Sequence, residues 1–122
     1  MKNTTEHQVK VGDFFVSSWG YDQTNITYYT VTKVTAKTVT LAEVYNRYIK
    51  RDDMARDFPS VSYDSYSVYA LPTNEVKERA KPTRRKLKTD DYWGLMTNIS
   101  SYSFARIWNG KPHRETAQGY GH

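Results

Sequence analysis

The chain has no cysteine among its 122 residues. That excludes disulfides, iron–sulfur clusters and thiolate zinc sites, and it suits a reducing compartment. Histidine is nearly as scarce: His7, His113 and His122 are the whole set, and no two stand at a zinc-type spacing. Long apolar runs are also missing. No stretch approaches membrane-spanning length, and Met1 to His7 lacks the apolar region of a signal peptide. There is no repeat, no low-complexity linker, and no G-x-S-x-G, Walker or dinucleotide fingerprint. Asp52-Asp53 and Asp90-Asp91 are adjacent carboxylates whose side chains diverge on a strand. They suit pairing with nearby Arg and Lys better than acid–base work. The expectation is a protein without catalytic residues, metal or cofactor.

What the chain does have is aromatic and cationic side chains. Aromatics make up 15% of it, 11 of them tyrosine, and such residues favour strands and half-exposed surfaces. Its length fits one domain that buries roughly two-thirds of its unfolded surface. The net charge is +5, and seven of the 18 basic residues fall between Lys77 and Lys88 with Glu78 as the single acid there. The remainder carries eleven basic against twelve acidic residues, so the positive excess belongs to this segment.

Residues 1–8 are polar and read as a flexible N-terminus. A strand over 11–17 follows, with Gly12-Asp13 as its leading turn. Ser17 to Asn25 packs Trp19, Tyr21, Asp22, Gln23 and Asn25 around Gly20, a residue that permits a sharp turn. Either Trp19 plugs one end of a small barrel or Trp19, Tyr21 and Gln23 form a recognition platform. Residues 26–35 and 38–45 are filled with β-formers and joined by a short polar turn, which predicts a hairpin. Val34 breaks the alternation and predicts a bulge near Thr32-Lys33. A charged insertion over 46–60 can extend the hairpin, form a helical turn or stay a loop.

A strand is expected from Tyr66 to Leu71, stopped by Pro72, then a short helix over 73–81 ended by Pro82. Thr83 to Lys88 reads as a basic edge strand or arm, and cations on an edge also deter pairing with other chains. A strand over 92–99 precedes a helix over 102–108, capped by Ser100 or Ser101. Tyr102, Ala105 and Trp108 would share its buried face. A last strand is expected over 111–116. The domain spans 9–122, and its pattern predicts a mainly β fold: an SH3-like open barrel of five or six strands with one short C-terminal helix, or an OB-like barrel.

Val11-Gly12-Asp13, Ser18 to Asn25, Lys37-Thr38-Val39, Ser100-Ser101-Tyr102 and Trp108 to Pro112 together resemble a group of small phage and mobile-element proteins. The similar pieces cover the first third and the last quarter of the chain. The resemblance implies a phage-type protein in the cytoplasm of a host bacterial cell, and no catalytic residues.

Two functions are expected. In the first, the chain binds nucleic acid: Lys81, Arg84, Arg85, Lys86 and Lys88 contact phosphates, while Tyr69 or Trp93 stacks on bases, with Tyr66 and Tyr92 as further candidates. In the second, it is an anti-defence inhibitor, such as an anti-CRISPR. It would bind a host nucleic-acid-processing protein, with the aromatics as interface anchors.

Overall fold

A computed structural model describes residues 9–20, 24–62, 67–92, 94–100 and 103–116. These form nine strands and one helix. Eight strands follow the order β6-β7-β8-β1-β2-β3-β4-β9 and β5 pairs with β3; the sheet curls into an open half-barrel. The elements are β1 (Phe14–Trp19), β2 (Asn25–Val34), β3 (Thr38–Ile49), α1 (Arg51–Asp57) and β4 (Ser67–Val76). After them come β5 (Thr83–Lys86), β6 (Lys88–Asp90), β7 (Gly94–Ser100), β8 (Ser103–Ile107) and β9 (His113–Thr116).

Period-two alternation puts apolar side chains on both faces of the long central strands. Inside the curl, Phe15, Val31, Val39, Leu41 and Ala105 form one core, backed by Leu87, Leu95, Ile99 and Ile107. On the outer face Val16, Ile26, Tyr28, Val44 and Ala70 form a second, covered by Phe14 and Trp108. Trp108 meets Phe14 edge-on at 5.7 Å and Tyr28 at 6.0 Å. Both contacts are favoured aromatic geometries.

The leading turn and the central hairpin form where expected. Gly12 takes φ +99° and donates its N–H to the Val31 carbonyl at 2.9 Å. In the β2–β3 turn the Thr35 hydroxyl accepts from the Lys37 and Thr38 N–H groups. The register shifts between Val31 and Lys33, at the expected bulge.

Three expectations are corrected. Ser101 and Tyr102 lie outside the described residues, and over 103–107 the expected helix is replaced by a strand held by β1 on one side and β7 on the other. A seven-residue helix has little intrinsic stability, and two ladders of backbone bonds outweigh it. Ser100 Oγ bonds Ser103 Oγ at 2.8 Å across this hairpin and caps no helix. The helix over 73–81 is also absent, because β4 runs through Pro72 to Val76. Pro72 is tolerated beside a register shift between Val44 and Asn46, where a missing N–H is harmless. The count of five or six strands becomes nine, since 103–107 is a strand and a bend at Leu87 divides the basic arm into β5 and β6. The charged insertion splits as well: β3 continues to Ile49 and α1 follows, with only Met54 buried.

Candidate binding surfaces

The basic segment lies along the edge of β3. The second half of β3 pairs with β4, and its first half pairs with β5. Residues 77–82 bulge out between the two strands. Lys77 closes that excursion: its N–H bonds the Glu43 carbonyl and its Nζ reaches Glu43 Oε2 at 2.5 Å.

Strand alternation then divides the cations. Arg85 lies opposite Val39, so it faces inward with the first core. Its Nη1 donates to the carbonyls of Asn98 and Ile99 at 3.2 and 3.0 Å. The Thr97 hydroxyl donates to the Lys86 carbonyl at 2.7 Å. These bonds hold β5 against β7 and draw the two sides of the curl together. Arg84 and Lys86 face outward on β5; Leu95 packs on the inner core opposite Thr89, so Lys88 faces outward on β6. Arg84 is opposite Thr40, and Thr40 is opposite Lys33. A row from Lys33 to Arg84 thus crosses the outer face, about 10 Å wide at two strand spacings. Among the described residues only Lys77 of the basic segment forms an ion pair.

The expected aromatic partners fare unevenly. Tyr69 is 3% exposed, and its hydroxyl donates to the Ser62 carbonyl, so it is a core residue and no stacking platform. Trp93 and Tyr66 lie outside the described residues. Tyr92 is 80% exposed in the β6–β7 turn, close enough to Arg106 to interact with it electrostatically. Of the aromatic loop, Tyr21, Asp22 and Gln23 also lie outside the described residues. Trp19 and Asn25 pair across β1 and β2. Trp19 is 49% exposed, and its indole N–H donates to Thr27 Oγ1 at 2.8 Å.

The mouth of the curl holds residues that sequence reasoning passed over. A cleft of about 260 Å³ is lined by Ser17, Trp19, Thr27, Tyr29, Glu43, Ile99 and Ser103. A second, of about 370 Å³, shares Tyr29 and Glu43 and continues to Leu41, Arg79, Ala80, Lys81, Thr83 and Arg85. The two clefts adjoin at Tyr29 and Glu43, with Trp19 lining one and the basic segment lining the other. The signal was the alternation itself, which puts Tyr29 on the face of Val31 and Glu43 on the face of Leu41. Burial and the Glu43 charge push the Tyr29 phenol above its ordinary pKa, and it stays a hydrogen-bond donor.

A third polar cluster sits beneath Trp108. Tyr28 donates to the Ala70 carbonyl at 2.7 Å. Arg106 Nη2 lies 3.4 Å from His113 Nδ1, and His113 Nε2 is buried without a partner. Burial, then the Arg106 charge, pushes the His113 pKa down to about 4, which keeps the ring neutral. Glu115 stitches the far end of β2, accepting from the Ile26 N–H at 2.9 Å and from the Tyr48 hydroxyl at 2.6 Å.

Among the described residues no helix is long and apolar enough to cross a membrane. Comparison with protein-family models, with curated proteins and with solved structures finds no match to this chain.

Proposed function

We propose that the chain is a non-enzymatic binding domain of the phage or mobile-element type, acting in the host cytoplasm, that binds nucleic acid through the outer face of β5 and β6. On this reading the curl is a small barrel of the SH3-like or OB-like kind, elaborated by β4 and β9. The observation that carries it is that Lys33, Arg84, Lys86 and Lys88 all face outward with no ion pair among the described residues, and that Tyr92 is exposed in the turn after β6. These four cations can each take a phosphate and release its counterion. An exposed ring beside them can stack on an unpaired base.

Gel shifts with single- and double-stranded DNA and RNA at low salt test the proposal. Binding to at least one of the four is expected, and binding to none sinks it.

A second reading keeps the face and changes the partner. Arg and Tyr are also enriched among residues that dominate protein interfaces, and Arg84 and Tyr92 are both exposed. The chain would then be an anti-defence inhibitor covering an acidic surface of a host nucleic-acid-processing protein. Absence of nucleic-acid binding, with capture of such a protein that is lost on charge reversal at Arg84 and Lys86, would select this reading.

A further inference from the structure

The groove at the mouth of the curl has a lining that folding does not require. Deeper in the curl the same strands carry Phe15, Val31 and Leu41. Two residues along each, they carry Ser17, Tyr29 and Glu43, all lining the groove. A barrel mouth that only needed closing would be filled with apolar side chains. This one stays open, with two lobes of about 260 and 370 Å³ meeting over Tyr29 and Glu43. Clefts of this scale, polar at chosen points and set in the mouth of a β-barrel, are where small ligands bind.

The two lobes differ in chemistry. At one end the Trp19 ring is pinned by its bond to Thr27 and stands beside the hydroxyls of Ser17 and Ser103. At the other stand Arg79, Lys81 and Arg85. The single carboxylate, Glu43, is already paired with Lys77, so the lobe is cationic. The Arg85 guanidinium is committed to two β7 carbonyls and its Nε is buried from solvent, which leaves Arg79 and Lys81 as the exposed cations of this lobe.

We propose that this groove binds a nucleoside phosphate. The base lies against Trp19 with its edge or sugar on the hydroxyls, and the phosphate meets Arg79 and Lys81. The site is separate from the outer face of β5 and β6, and it stands whether or not that face binds a polynucleotide.

Calorimetric titration of the full chain with the four ribonucleoside monophosphates, ATP and inorganic phosphate tests it. At least one nucleotide is expected to bind ten or more times tighter than inorganic phosphate. The double variant Arg79→Ala/Lys81→Ala, both exposed in the bulge, should weaken that nucleotide at least tenfold. Trp19→Ala should abolish the preference for nucleotide over phosphate. Charge reversal at Arg84, Lys86 and Lys88 should leave nucleotide binding unchanged, which separates this site from the outer face. No binding of any nucleotide at millimolar concentration overturns the proposal. So does nucleotide binding that survives the Arg79/Lys81 variant or disappears in the outer-face variant.

Discussion

Arg85 and its neighbours Arg84 and Lys86 sit one residue apart in the same strand, yet they do different work. Arg85 turns inward, and its guanidinium ties β5 to two carbonyls of β7. Arg84 and Lys86 turn outward and, among the described residues, form no ion pair. A run of positive charge in a sequence is therefore not one feature. Period-two geometry divides it into a structural cation and a set free to meet a partner.

The widest separation of the two should come from Arg84→Glu/Lys86→Glu/Lys88→Glu. Nucleic-acid affinity should fall by on the order of a hundredfold or more at moderate salt, since three phosphate contacts become repulsive. The urea midpoint should barely move, because exposed cations without ion pairs add little to stability. Arg85→Met should do the reverse. It removes two hydrogen bonds from a charged donor to backbone carbonyls, at a cost of about 1.5–3 kcal/mol in chemical denaturation. Affinity per folded molecule should hold.

The comparison sharpens with pH. His113 is neutral in the fold down to about pH 4, whereas unfolded histidine takes up a proton near 6.5. The unfolded state therefore binds more protons in that window, and stability falls as pH drops through it. Between pH 7 and pH 5 the loss assigned to His113 is about 2 kcal/mol. Arg106 and Tyr28 face the same cluster but keep their charge states over this range. His113→Gln should flatten the difference in urea midpoint between the two pH values. The smallest effect belongs to Tyr92→Ala, which should weaken single-stranded binding by about 1 kcal/mol and leave duplex binding unchanged.

Much of this fold was legible because the residues in question obey local rules. The turn at Gly12, the hairpin around Thr35 and the bulge before Lys33 follow from a glycine needing positive φ, β-branched arms and broken alternation. The segment 103–107 was not legible. Phe104 and Ile107 fit a strand, but Ala105 and Trp108 also fit a helical spacing, and only the neighbouring strands decide between them. Pro72 misled for a related reason: its place beside a bulge depends on β3, some 25 residues earlier in the chain. The basic segment was visible from charge alone, but its division into two faces required knowing that Thr83 to Lys86 pairs with Thr38 to Leu41. Tyr69 read as a stacking ring because tyrosine looks the same in a core as on a surface. Burial under a neighbouring segment and a bond to the Ser62 carbonyl assign it to the core.

The most direct measurement is the affinity of the unmodified chain for an oligonucleotide across a fourfold range of salt. Four contacts from Lys33, Arg84, Lys86 and Lys88 predict a log–log slope of about −3 to −4 on single or double strands, a loss on the order of a hundredfold. A slope near zero, or no binding at the lowest salt, would contradict the assignment of the outer face of β5 and β6 to a polyanion.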